Sequence, residues 1–493
     1  MTAAVPGSTR REFLARGALA ASAVALGSRA LEAGAAPALP ERGYYLLPCR
    51  TPTLGREVYR ELVDDLTEDG VNRLVLWLAG GFRSRKFPVT WAYNAEHENV
   101  RRDFMGEVIR HAQSRGIRCL LGFTPFGYDG VNRYALERPD LAAVGEDGQP
   151  VAEFGIHSWG RNLCPARRDS QRFMLDYARE MAFDFYPEAD GLFVESSDYA
   201  ICHCPDCGEK HFDHEFAFVQ AIAEEAWARR PGATVVVYPH YFTGARLRFT
   251  FGEAVAAKQP FDPRFTLFFT PHSAALAPDL VARARGAWWW NEAPSRFDVP
   301  GIRVGARKAR DGLCTGFLPS LECYTYVQTH VEFGEPWLAG RRQVPFGFGW
   351  LAEGASPYRE LPMRAVRIAT RELSADPDLA DDGLRAALGR GLFGGGWRPV
   401  DVEDVLELCR VFGTDRDWTV PAPLTTPGLV RARREEGRLH AGKRAALRGQ
   451  LARVRAIAAR HRGTSGPGRG ELARIARWLS DQWPPENETL LAG

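Results

Sequence analysis

Asp190-Gly191-Leu192-Phe193-Val194-Glu195 is followed closely by Cys202-His203-Cys204-Pro205-Asp206-Cys207, and then by residues 212–229, where apolar side chains recur at three- and four-residue steps. A short apolar run, a turn and an amphipathic stretch make a strand–loop–helix unit. The unit recurs outward in both directions. Strand candidates lie at 44–47, 73–78, 118–123, 191–195, 234–239, 266–270, 287–291 and 315–321, with helical patterns at 57–68, 103–115, 171–185, 212–229 and 279–285 between them. Strands that alternate with helices around a parallel sheet, eight times over, predict an α/β fold of the TIM (β/α)8 barrel type spanning 40–325.

The rest of the chain divides around that barrel. Thr9-Arg10-Arg11-Glu12-Phe13-Leu14, the Ala/Leu/Val-rich stretch 15–26 and the small-x-small site Ala33-Gly34-Ala35 read as a twin-arginine signal peptide over 1–35. That predicts a periplasmic or extracellular product. No later stretch reaches the roughly 18 apolar residues of a membrane span, so none is expected after signal cleavage. After the barrel the period is helical, at 361–373, 377–388 and 402–412, which predicts a mainly helical C-terminal region: an accessory segment packed on the barrel over 326–425, then an Arg-rich helical tail over 426–493. Within the tail, 428–462 reads as exposed helix and 471–483 as a last amphipathic helix.

The 63 basic and 61 acidic residues nearly cancel, so no global field would gather nucleic acid. The segment 126–161 lacks strong periodicity and is too long for a plain loop, which suggests an excursion from the third strand that shapes a site.

In such barrels the chemistry sits where strands end and βα loops begin. Glu195 closes the fourth strand and Glu292 follows Trp288-Trp289-Trp290-Asn291 at the end of the seventh, nearly opposite. Two carboxylates in that relation suit glycoside hydrolysis, one protonating the leaving oxygen while the other attacks the sugar or activates water. Trp77, Asp198, His240, His272, Glu322 and Tyr324, at or just past other strand ends, are the candidates for binding a carbohydrate; Thr124 follows the third strand. His240 and His272 fit buried structural histidines equally well. Cys202, Cys204 and Cys207, with His203, His211 and His214 nearby, have the spacing of a tetrahedral zinc site, with His211 as the fourth ligand; a disulfide or free thiols are the alternatives. Such a zinc would be structural, and no organic cofactor is expected.

The segment from Asn162-Leu163-Cys164-Pro165 through Asp190-Gly191 to Cys202-x-Cys204-x-x-Cys207 resembles a pattern in bacterial glycosidase-like barrels related to the family-20 hexosaminidases and family-67 alpha-glucuronidases. The resemblance implies a catalytic role for the acid at the end of the fourth strand, here Glu195. The Asp-Glu pair with which family-20 enzymes hold the substrate's acetamido group is Val194-Glu195 in this chain, a departure that weighs against substrate-assisted chemistry. Glu292 is placed by position, as in the large retaining barrel clan. The resulting expectation is an exported glycoside hydrolase acting on a poly- or oligosaccharide. The alternatives are a non-catalytic sugar-binding barrel and a metal-dependent hydrolase using His240 and His272, the latter disfavoured because the first strand lacks paired histidines.

Overall fold

The computed structural model describes residues 39–46, 55–78, 81–92, 95, 98–127, 130–153, 160–196, 201–208, 210–239, 261–271, 278–321, 356–412 and 441–481. The proposed signal peptide therefore lies outside the described residues.

Eight parallel strands close on themselves: β1 (Glu41–Leu46), β2 (Arg73–Trp77), β3 (Arg118–Phe123), β4 (Gly191–Val194), β5 (Thr234–Val237), β6 (Phe265–Phe269), β7 (Gly286–Trp289) and β8 (Gly316–Phe317). Each pairs with its neighbours in chain order, and β1 closes the ring on β8 through Glu41↔Gly316. The expected strands are all present, with ends that shift by a few residues; β1 begins three residues earlier than the apolar run because Glu41, Arg42 and Gly43 belong to the ladder. Glycine is required at two of these positions. A Cβ on Gly43 would stand 2.0 Å from the Arg73 carbonyl oxygen, and one on Gly191 would stand 1.9 Å from that of Thr234.

Helices α1 (Arg56–Glu68), α2 (Met105–Ser114), α3 (Arg168–Arg179), α4 (His211–Arg229), α5 (Pro278–Arg283) and α6 (Val299–Asp311) connect strands. Their apolar stripes, such as Val58, Tyr59, Leu62, Val63 and Leu66 on α1, are buried as the spacing requires. In α6 the Asp298 carboxylate caps the Gly301 N–H at 3.0 Å.

The barrel interior is aromatic. Tyr45 of β1 touches Trp77, Phe193, Phe268 and Trp290 with ring centroids 5.3–6.2 Å apart, and Phe268 meets Tyr238 edge-on. Beneath this layer, at the N-terminal ends of the strands, Glu41 accepts from Arg73 Nε at 2.8 Å, Trp288 Nε1 at 2.7 Å and Thr315 Oγ1 at 2.8 Å. This floor is a polar plug whose charges cancel in place.

Beyond the barrel come α7 (Leu361–Ala375), α8 (Asp381–Phe393), α9 (Pro399–Phe412), α10 (Ala441–Arg460) and α11 (Arg469–Asp481). They share the apolar core of the barrel. The buried Arg367 of α7 donates to Asp69 at 2.8 Å and to Asp65 at 3.0 Å, bolting α7 to α1. Burial, followed by the nearby Asp69 charge, raises the Tyr44 hydroxyl well above the usual phenol range. The expectation of exposed helix over 428–462 is only half met by α10, the described part of that stretch. Its Leu447, Leu451, Val454 and Ile457 are buried at three- and four-residue spacing, and only the opposite face is wet. Each such side chain contributes about 1.5–3 kcal/mol, so the Arg content hid an ordinary amphipathic helix.

Candidate active site

The ladder that ends β4 also places its acid. Glu195 N–H donates to the Phe123 carbonyl at 3.1 Å, so the residue stays in strand geometry one step past Val194. Alternation then sends Gly191, Phe193 and Glu195 to the same face. That face is the inner one, because the Phe193 ring lies 5.3 Å from Tyr45 and 4.6 Å from Phe268. Glu195 is 9% exposed, and the Tyr45 hydroxyl donates to its Oε2. The acid thus sits on an aromatic layer at the C-terminal end of the barrel, held by a phenol from β1.

Among the described residues four polar atoms in this region have no protein partner. Trp77 Nε1 (β2), Thr124 Oγ1 (just past β3), Ser196 Oγ (just past β4) and Trp290 Nε1 (just past β7) are all buried without a hydrogen bond. Leaving one such group unpaired costs about 1–3 kcal/mol. At this end of the barrel they are groups that water or a ligand's hydroxyls can satisfy.

Glu292 occupies the corresponding end of β7. Trp290 N–H donates to the Phe269 carbonyl at 2.8 Å and keeps the strand in line, with Trp288 turned to the floor and Trp290 to Tyr45 and Phe268. The chain then turns. Asn291 Oδ1 accepts from Ala293 N–H at 3.2 Å while its Nδ2 donates to the Gly301 carbonyl at 2.9 Å. Glu292 is one-third exposed and forms an ion pair with Arg296 one turn later. Among the sugar-binding candidates Trp77 is buried in the aromatic layer; Asp198, His240, His272, Glu322 and Tyr324 lie outside the described residues.

The cysteine loop follows β4 directly. Cys202, Cys204 and Cys207 are buried and converge with a fourth thiol, Cys164, all four Sγ atoms lying within 4.8 Å of one another. His211 does not join them. Its Nδ1 accepts the Cys202 N–H at 3.0 Å and its Nε2 faces Glu215 Oε2 at 3.5 Å, so it braces the loop through the backbone. Cys164 arrives from the far end of the β3–α3 excursion, which is built of short helical turns from Val131 to Leu141 and a small antiparallel hairpin, Ala152–Glu153 with Gly160–Arg161. Sequence reasoning did not count Cys164 as a ligand because it lies 38 residues upstream of the triplet; the chain reversal through α3 and β4 brings it back. It also missed Tyr45, whose signal was its place on the inward parity of β1.

No family model matches the chain, and no curated protein matches it. Solved structures similar to it include a chitobiase from Flavobacterium johnsoniae, at 12% identity and a TM-score of 0.46 over 90% of this chain and 71% of that one. An O-GlcNAc hydrolase from Thermobaculum terrenum is similar at 9% identity and a TM-score of 0.44, over 92% and 87%. A beta-N-acetylhexosaminidase from Bacteroides fragilis is similar at 13% identity and a TM-score of 0.36, over 52% of this chain; the chain spans 50% of that enzyme. The fold is fixed independently, by the strand pairing itself.

Proposed function

We propose that the protein is a glycoside hydrolase whose site is the C-terminal mouth of the barrel, with Glu195 as general acid/base and Glu292 as the second carboxylate. The observation that carries this reading is a buried acid held by Tyr45 on an aromatic floor and accompanied by four buried polar atoms without protein partners. Aromatic faces suit the apolar faces of sugar rings, and unpaired N–H and O–H groups suit their hydroxyls. Glu195 would protonate the glycosidic oxygen as the bond breaks, and Glu292, oriented by Arg296, would attack the anomeric carbon or activate water. Among the described residues no helix is long and apolar enough to cross a membrane. The Arg10-Arg11 segment supports export by the twin-arginine route, which substituting both arginines by lysine should block.

The test is a turnover screen of the wild type and Glu195→Gln against a glycan panel that includes N-acetylglucosaminides, the class named for several similar structures. Hydrolysis lost in the variant while the same glycan still binds supports the reading. Glycan binding without turnover in the wild type would instead make this a sugar-binding barrel.

A further inference from the structure

We propose that Cys164, Cys202, Cys204 and Cys207 bind one zinc ion as an all-thiolate site that ties the β3–α3 excursion to the β4–α4 loop beside Glu195. The sulfur positions carry the argument. Cys164 Sγ lies 3.6 Å from Cys204 Sγ and 3.5 Å from Cys207 Sγ. Four sulfurs about 2.3 Å from a central zinc stand about 3.8 Å apart along the edges of their tetrahedron. A disulfide brings two sulfurs to about 2.05 Å, and neither of these contacts approaches that. Four thiols on this spacing are therefore arranged around a common centre rather than in two pairs.

The surroundings are those of a ligated cluster. Val144 N–H points at Cys202 Sγ from 3.4 Å, the outer donor that a metal-bound thiolate recruits. Cys204 opens a tight turn, its carbonyl accepting from Cys207 N–H at 3.0 Å and Gly208 N–H at 2.9 Å, which folds Cys204 and Cys207 onto one side. His211 fixes the Cys202 end from behind.

There is also a structural need for a staple here. Among the described residues the four cysteines form an apolar cluster separate from the main core, with Ala143 buried beside them and Val144, Val151 and Ala166 partly buried around it. So few small side chains bury too little area to hold two loops. Among the described residues the direct ties between the loops, the cysteines' own contacts aside, are His203 N–H donating to the Val144 carbonyl at 2.6 Å and two solvent-facing pairs, Arg167 with Asp206 and His203 with Glu146, which are worth little. A closed set of four protein ligands leaves no open coordination position, so the metal would position the loop after Glu195 and Ser196 without entering the chemistry.

The inference does not rest on the glycosidase reading, and its test does not use hydrolysis. Elemental analysis of the full chain purified without chelator should give about one zinc per chain. Cys164→Ser should lose most of that metal and His211→Ala should keep it. Should Cys164→Ser fail to fold, the wild type refolded with cobalt(II) should show thiolate-to-cobalt charge-transfer bands of four-sulfur intensity. Chelation should raise amide exchange in 141–164 and 201–208 together. Less than about a tenth of a zinc per chain, iron in its place, an intact mass two hydrogens light, or metal loss in His211→Ala but not in Cys164→Ser would overturn the proposal.

Discussion

At the floor of the barrel Glu41 is met by Arg73, Trp288 and Thr315, while at the mouth Trp77, Thr124, Ser196 and Trp290 keep buried polar atoms without a protein partner. Both ends are cut from the same eight strands, and both pair an acid from a strand terminus with aromatic side chains. The difference lies in where the complementary groups come from. The floor supplies its own, so removing one should cost stability before it harms chemistry. At the mouth Glu195 is held by Tyr45 while those four atoms have no protein partner, so their replacement should cost little stability while function fails.

The sharpest separation is expected from Glu195→Gln. Loss of general acid/base catalysis typically removes 10²–10⁴ in rate, and here kcat on a responding glycan should fall about 10³-fold while calorimetry shows a melting temperature within about 2 °C of wild type. An unchanged kcat would break the comparison at the mouth. Glu41→Ala is the mirror image. It leaves the partly exposed Arg73 guanidinium with the Asn72 carbonyl as its remaining acceptor, and losing a charged hydrogen-bond partner there costs about 1–3 kcal/mol. Urea unfolding should show that loss, with kcat of the folded fraction within about threefold; a neutral result would mean the floor is not the structural end.

Asp401, remote from both ends, serves as a calibration. Burial acts to raise its carboxyl pKa, but hydrogen bonds from Arg398 and Arg469 outweigh it and bring the pKa down to about 2. A depressed carboxyl stabilises the fold above its unfolded pKa near 4, and that contribution fades as pH falls toward 2. Asp401→Asn should therefore lose about 1–2 kcal/mol at pH 7, allowing for solvent screening, with the deficit closing below about pH 3 and turnover unaffected. A deficit constant with pH would show packing rather than charge. The smallest effect belongs to Trp290→Phe, which removes an N–H that has no protein partner. The smaller ring also gives up part of the packing on Tyr45 and Phe268, so stability should fall by about 1 kcal/mol, while glycan affinity weakens about three- to tenfold, the worth of one hydrogen bond. A larger loss of stability with intact affinity would place that N–H among structural groups.

Strands were legible because their signal is local: Leu192-Phe193-Val194 and Trp288-Trp289 could hardly be anything else. Helix α6 was not read from the sequence, although Val299, Ile302, Gly305, Ala306 and Ala309 form its buried stripe; three of those five are Gly or Ala, and a Cβ on Gly305 would press on the Phe317 ring. The site divides in the same way. Glu195 could be found from the end of its own strand. Tyr45 depends on which of two adjacent tyrosines faces inward, and that parity is set by a strand start at Glu41 that looks polar. Nearness in sequence suggested His211 as a metal ligand, while the fourth thiol, Cys164, comes from across the fold.

The bolt between α7 and α1 governs when the chain can finish folding during synthesis. Arg367 and Asp69 are 298 residues apart, and Thr315 reaches Glu41 across 274. The first strand therefore leaves the ribosome long before its closing neighbour or its outer cover exists. Contacts of such sequence separation form late and slowly. Until α7 emerges, the outward face of β1, with Tyr44 and the carboxylates of Asp65 and Asp69 beside it, is an unfinished edge, and a nascent chain paused before residue 367 should be the one most dependent on a chaperone.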